Sequence, residues 1–291
     1  MSNKDASMAA VTKKLLRRYN IQTRKKLGQH FLIDDAVLEQ ILDAAALTPE
    51  DTVIEVGPGL GLMTRELAKR AGWVIAIELD NRLASLLQDN LEAENIVVIN
   101  EDVLGTNPAK LMQGSAPHFP PQLRSYKVVA NLPYYITSPV LRHFLEASVK
   151  PATMVVMVQK EVAEVIAAKA GGRSVLSIAV QFYGKPEIVA NVPAASFFPP
   201  PEVDSAVLKI DVYDNPPVPV KDVEGFFKLV RAGFTAARKQ VANSLAQGLH
   251  IDKEAAVRLL AKAGLDPQRR AETFTLEEWA NLHNVYSRGK K

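Results

Sequence analysis

From residue 52 onward, short and nearly unbroken apolar runs alternate with stretches whose apolar positions recur every three or four residues. The runs Thr52–Val56, Trp73–Leu79, Ile96–Asn100, Tyr126–Ala130 and Thr153–Val158 predict strands. The stretches Leu60–Arg70, Leu83–Leu91, Pro139–Ala147 and Glu161–Ala170 predict helices. Strands that are apolar on both faces are expected where helices cover both sides of a parallel sheet. The alternation therefore predicts a doubly wound α/β fold.

Before this core, residues 34–46 show helical spacing (Val37, Leu38, Ile41, Leu42, Ala45), with Asp34 or Asp35 as the N-cap. After it, Ser174–Tyr183 and Ala206–Val212 read as two further strands joined by a proline-rich segment, an antiparallel pair appended to the sheet. The linker Asp214-Asn215-Pro216-Pro217-Val218-Pro219 marks a boundary. Beyond it only helical patterns follow. Three regions are expected: a basic, flexible arm over residues 1–27 that becomes helical near Val11–Tyr19, a ligand-binding domain over 28–213, and a small all-α domain over 214–291. There is no internal repeat.

Charge sharpens this division. Residues 1–28 carry eight Lys or Arg and one acid, and residues 221–291 carry thirteen and eight; with +3 for the whole chain, the middle carries −9. Basic ends attract polyanions, although solvated surface would read the same way. In the all-α region Phe227, Val230, Phe234, Val241 and Leu245 share one helical face, and Lys228, Arg231, Arg238 and Lys239 lie on the next, a candidate phosphate-tracking surface beside the catalytic cleft. The absence of cysteine excludes disulfides, thiolate zinc sites and cysteine nucleophiles, and the five histidines show no metal-ligand spacing. No apolar run approaches the ~20 residues a membrane span needs. The N-terminal region lacks the apolar core of a secretory signal; its basic, acid-poor character is shared by mitochondrial transit peptides, so that reading stays open beside a cytoplasmic one.

The candidate chemistry gathers at the ends of the predicted strands. Asn131-Leu132-Pro133-Tyr134 follows the apolar run at 126–130, so a carboxamide is held at a strand end with a rigid proline and an aromatic face beside it. That set suits gripping the exocyclic amine of a planar base. Glu55-Val56-Gly57-Pro58-Gly59-Leu60-Gly61 lies between a strand and a helix, where glycines let backbone approach a ligand. A dinucleotide loop of the G-x-G-x-x-G type would need glycine at Leu62, and no P-loop is present. Glu78 ends the next strand, 21 residues after Gly57, where an acid can bond both ribose hydroxyls; Asp102 follows the third strand and can accept from an adenine amine. Each acid alone reads as a solvent-facing carboxylate. Three such features at successive strand ends favour a nucleoside without a pyrophosphate, S-adenosylmethionine being the obvious one.

Lys26-Leu27-Gly28-Gln29-His30-Phe31-Leu32, Glu55–Gly61, Ile77-Glu78-Leu79-Asp80, Glu101-Asp102, Asn131–Tyr134 and Phe197-Phe198-Pro199-Pro200-Pro201-Glu202-Val203-Asp204-Ser205 occur in that order. Together they closely resemble the ribosomal RNA adenine dimethyltransferases, the KsgA family, over about residues 20–291. That family is similar to the erythromycin-resistance methylases and the mitochondrial transcription factor B proteins. The resemblance implies a Rossmann-like class I methyltransferase fold and dimethylation of two adjacent adenines near the 3′ end of small-subunit ribosomal RNA. It also implies S-adenosylmethionine as donor, immature small ribosomal subunits as partner, and a late checkpoint in subunit assembly. By matching position, Gln29, His30, Leu32, Gly57, Gly59, Glu78, Asp102 and Asn131 should line the cofactor site. The sequence departs from the family at Tyr135, where Asn is frequent, at Thr137, where Ser is, and at Ala237, where Arg is common.

On this reading Asn131 Oδ1 and the Leu132 carbonyl accept the two N–H bonds of the target amine, with Pro133 stiffening that carbonyl. Tyr134 stacks on the base. Phe197, with Phe198 and held by three prolines, forms an apolar wall against the sulfonium; alternatively the pair fills the core. No general base is evident and no metal is expected. Nothing in the residues calls for more than a monomer. Three alternatives compete: a non-catalytic RNA-binding relative, which the presence of Asn131 and Tyr134 disfavours; a nicotinamide-dependent dehydrogenase, which Leu62 disfavours; and a DNA adenine methylase, which the whole-chain resemblance disfavours.

Overall fold

The computed structural model describes residues 7–24, 28–91, 93–112, 125–236 and 238–289. Lys26, Leu27 and Ala237 thus lie outside the described residues. In chain order the elements are α1 (Met8–Arg18), β1 (Phe31–Leu32), α2 (Asp35–Ala45), β2 (Thr52–Val56), α3 (Leu62–Arg70), β3 (Trp73–Ile77), α4 (Asn81–Asn90), β4 (Ile96–Ile99), α5 (Pro108–Met112), β5 (Lys127–Asn131), α6 (Thr137–Leu145), β6 (Thr153–Gln159), α7 (Lys160–Ala167), α8 (Val175–Tyr183), β7 (Gly184–Val192), β8 (Phe197–Phe198), β9 (Ser205–Val212), α9 (Val223–Gly233), α10 (Val241–Leu249), α11 (Lys253–Lys262) and α12 (Leu276–Arg288). Among the described residues no helix is long and apolar enough to cross a membrane.

Seven strands form one sheet in the order β4-β3-β2-β5-β6-β9-β7. The first five are parallel and β9 runs antiparallel to β6. Every residue of β2 is buried, as expected for a central strand covered on both faces. The chain runs outward from β2 to β4 and then returns to β5, on the other side of β2. This makes β2 and β5 the switch point, and the carboxyl ends of the strands there form a crevice. A separate two-stranded antiparallel ribbon pairs Phe31 with Phe198 and Leu32 with Phe197.

The chain divides into two compact units, Met1–Ala163 with Glu187–Val212, and Glu164–Pro186 with Tyr213–Lys291. In the first unit, the sheet's apolar side chains pack with α2 and α3, whose Ile41, Leu42 and Leu67 are at most 1% exposed. Helix α1 belongs to this unit too. Its Met8, Thr12 and Leu16 are buried and Ser7 caps it, so the basic arm is in part a docked helix. Asp34, not Asp35, caps α2 through Ala36 and Val37 N–H.

The second unit begins again at Tyr213, beside the expected boundary, but also takes in residues 164–186, and it corrects the expected strand at 174–183. Residues 175–183 form α8, started by a reciprocal capping box between Ser174 and Ser177. A continuous apolar run of this length fits a buried helix as well as a strand, and the capping serine decides for helix. Ile178, Ala179 and Phe182 join the core built by α9–α12, and this takes 164–186 into the C-terminal unit. The outer strand is instead β7, whose burial alternates residue by residue as a half-exposed edge strand requires. The single helical face expected from Phe227 to Leu245 is split between α9 and α10, although Phe227, Val230, Val241 and Leu245 are all buried. Gly248 lets these two helices touch: a Cβ there would lie 2.5 Å from the Ala232 Cα. Lys228, Arg231, Arg238 and Lys239 are exposed.

Candidate active site

The crevice at the switch point is a cleft lined by residues of the first unit alone, from the 28–32 segment, the β2–α3 loop, and the ends of β3, β4 and β5. It gathers Gln29, His30, Leu32, Gly57, Gly59, Glu78, Asp102, Asn131, Leu132, Pro133 and Tyr134, eleven of the twelve residues picked out from sequence. The exception is Phe197. It is 2% exposed, pairs with Leu32 across the ribbon and packs in the core with Val192 and Val207. The expected apolar wall at Phe197 is therefore corrected: the side chain fills the core and does not line the cleft.

The glycine loop is shaped by backbone. Gly57 and Gly59 have φ of 68° and 61°, the left-handed region that a side chain rarely tolerates. A Cβ on Gly59 would meet the Phe31 ring at 3.0 Å. Beneath the loop, the Glu78 carboxylate accepts Gly59 N–H at 3.0 Å and Asp80 N–H at 2.9 Å. Burial raises the Glu78 pKa, with the backbone N–H groups of Asp80, Gly59 and Leu79 opposing the rise. Each oxygen accepts one of the Gly59 and Asp80 bonds and keeps a second lone-pair position. Asp80 anchors the entry segment. Its side chain caps α4 through Arg82 N–H, takes Gln29 Nε2 at 3.4 Å and pairs with Arg82 and Arg24 at 3.2 and 3.5 Å. Burial works to raise the Asp80 pKa, but Arg82 and Arg24 outweigh it, so the carboxyl sits below its ordinary value. Asp102 caps a short 3-10 turn through Leu104 N–H.

Asn131 is the last residue of β5. Its Nδ2 donates to the His30 carbonyl at 2.9 Å, so Oδ1 is the end of the amide left as acceptor. The His30 ring is itself fixed, with Nδ1 2.8 Å from the Pro199 carbonyl, and lies nearly parallel to the Tyr134 ring at 5.9 Å between centroids. Tyr134 OH meets Ser205 Oγ at 2.7 Å. Burial raises the Tyr134 pKa, so the phenol stays protonated. Pro133, at φ −57°, starts the 3-10 turn Tyr134–Ile136, and Leu132 N–H donates to Met157 O at 3.1 Å. The carboxamide itself is held by the His30 carbonyl, and the turn that follows it is anchored through Leu132 and Tyr134.

Among the cleft residues, Met8 escapes a reading of the sequence, and Glu55 is read there only as the first residue of the glycine loop. Met8 reaches the cleft from α1, and its N–H bonds Asp35 at 3.3 Å. Glu55 is fully buried in β2, and neither of its carboxyl oxygens has a hydrogen-bond partner among the described residues. Burial pushes its pKa up to about 8; Thr64 beside it tempers the rise without reaching hydrogen-bond geometry. An acid within the apolar run Thr52–Val56 is the available signal. Among the described residues no cluster of His, Asp and Glu is placed to hold a metal ion.

A switch-point cleft with open glycine backbone on one wall and an aimed carboxamide on the other suits the S-adenosylmethionine-dependent methyltransferases, and that is the class of this enzyme. Comparison with known proteins narrows it. A family model for ribosomal RNA adenine dimethylase matches residues 20–287. A ribosomal RNA small subunit methyltransferase A from Dehalococcoides mccartyi is 50% identical over 282 residues, covering 97% of this chain and 94% of that one. Among solved structures, the 23S rRNA methyltransferase ErmE is similar at a TM-score of 0.67 and 29% identity, covering 88% of this chain and 99% of that one. A dimethyladenosine transferase from Plasmodium falciparum shares the fold at a TM-score of 0.74 and 24% identity, covering 90% and 98%. The chain belongs to the ribosomal RNA adenine dimethylase family.

Proposed function

We propose that this enzyme methylates N6 of two adjacent adenosines in the 3′-terminal hairpin of small-subunit ribosomal RNA, giving N6,N6-dimethyladenosine. We infer further that it acts on immature small subunits in the cytoplasm, as a monomer. The observation that carries this reading is the fixed orientation of the Asn131 amide. With Nδ2 held by the His30 carbonyl, Oδ1 is left to accept an N–H of the target amine.

The cleft fits S-adenosylmethionine on its own chemistry. The partnerless Glu55 carboxyl suits the ammonium of the methionine part, Glu78 keeps two acceptor positions for ribose hydroxyls, and Asp102 supplies an acceptor for the adenine amine. When bound, this donor supplies an electrophilic methyl group on a sulfonium.

The protein's task is to present a poor nucleophile. The lone pair of N6 is delocalised into the purine ring. Accepting its N–H groups at Asn131 Oδ1 and the Leu132 carbonyl favours a pyramidal nitrogen. Tyr134, tethered to Ser205, offers a ring against the flipped base; such stacking is worth ~1–3 kcal/mol. Once N6 carries the new methyl it is cationic and acidic and loses its proton to water, so no side chain need act as base. Orientation of this kind accounts for ~7–11 kcal/mol in well-aligned reactions. For the second transfer one N–H has already been replaced, and one acceptor must tolerate a methyl. In the C-terminal unit, exposed Lys228, Arg231, Arg238 and Lys239 would track phosphates.

The test is Asn131→Ala, assayed with labelled donor on small subunits lacking the modification. Transfer should fall by ~10²-fold or more, the range seen when one preorganised polar group is removed from an active site. Cofactor affinity should change little. Transfer at near wild-type rate would refute the assignment.

A further inference from the structure

The residue after the Asn-Leu-Pro-Tyr turn is Tyr135. At 55% exposure it is the most exposed large apolar side chain among the described residues, although it lies at the lining of a cleft. One edge of its ring rests over Gly28: Cδ1 and Cε1 lie 3.6 and 3.7 Å from where a Cβ on that glycine would be. The rest of the ring is open. Tyr134 and Tyr135 share one 3-10 turn, and their Cα atoms are therefore roughly 3.8 Å apart. Tyr134 is half-buried and its hydroxyl is held by Ser205, whereas Tyr135 faces outward.

We propose that Tyr135 is a second stacking platform that holds the nucleobase flanking the target adenosine in a single-stranded loop. This rests on the RNA-methylating reading of the cleft. A base flipped into the cleft leaves its neighbour unstacked, and an aromatic ring one residue from the target's own platform is placed to receive it. Every base has a π-face, so the site takes any nucleobase by position.

The experiment is a cycle of protein and RNA changes. Wild type, Tyr135→Ala, Tyr135→Asn and Tyr135→Phe are assayed on small subunits reconstituted with unmodified rRNA. Three rRNAs are used: intact, abasic on the 5′ side of the target pair, and abasic on its 3′ side. Loss of one stack of ~1–3 kcal/mol corresponds to about 5- to 150-fold in kcat/KM. Tyr135→Ala and Tyr135→Asn should lose that factor on intact subunits, mainly through KM, and Tyr135→Phe should keep most of the activity. On one of the two abasic substrates all four proteins should be equally slow. Equal activity of wild type and Tyr135→Ala on intact subunits would overturn the platform, as would a loss that persists undiminished on both abasic substrates. No transfer by the wild type to intact subunits is a different outcome; it would overturn the functional reading and this proposal with it.

Discussion

Glu55 offers the sharpest test of how the cleft receives its donor. The carboxyl is fully buried, lacks a hydrogen-bond partner among the described residues, and has a pKa raised from 4.5 to about 8. Without cofactor at pH 7 it is about nine-tenths protonated. A cationic ammonium placed against it favours the carboxylate, so cofactor binding at pH 7 should expel close to ~0.9 proton. Glu55→Gln keeps the shape and removes the titration. Calorimetry of S-adenosylmethionine binding in buffers of different ionisation enthalpy measures the protons released. The wild type should release nearly one, and Glu55→Gln close to none, with weaker binding. Stability supplies a second readout with a definite sign. The folded pKa lies above the unfolded one, so the contribution of Glu55 is fully present below pH 4.5 and disappears as pH rises through about 8. The shift corresponds to on the order of 5 kcal/mol. Glu55→Gln without cofactor should therefore be more stable than wild type at pH 9 and close to it at pH 4.5. If the variant expels as many protons as wild type, or the wild type expels none, Glu55 does not meet the ammonium.

Two further outcomes are expected beyond those for Asn131 and Tyr135. Gly59→Ala places a Cβ 3.0 Å from the Phe31 ring at a φ of 61°; a left-handed residue costs ~1–2 kcal/mol, so thermal stability and cofactor affinity should both fall, and unchanged values would show that the loop is not set by that packing. Lys228→Glu combined with Arg231→Glu should lower the salt dependence of binding to small subunits by about one unit of slope for each phosphate no longer neutralised, and an unaltered slope would remove the C-terminal unit from phosphate tracking.

What is legible in the sequence follows from strong, local physics. The parallel strands are visible because burial on both faces makes them apolar throughout, and the cofactor cleft because glycines, acids and an amide recur at their carboxyl ends. Residues 174–183 mislead because an apolar run has no period when all its sides are buried; only Ser174 and Ser177 mark a helix start. The edge strand β7 is easily passed over because polarity does not follow its burial: Val189 lies on the exposed side with Lys185, Glu187 and Asn191, and Pro186 on the other. The ribbon of β1 and β8 is two residues deep, too short for any pattern. For the same reason the place of Phe197 is hidden, since its partner Leu32 lies far off in sequence. Glu55 reads as part of the glycine motif, whereas its importance comes from a burial that only the assembled sheet creates.

That ribbon has a consequence for biogenesis. His30 orients the carboxamide through its carbonyl, yet its own ring is held by Pro199, 169 positions later in the chain. Closing such a long loop raises contact order and delays folding. During synthesis the glycine loop, the acids and Asn131 all emerge before the segment that tensions them. A nascent chain can thus hold every side chain that lines the strand ends and still lack the contact that fixes the His30 ring beside Asn131.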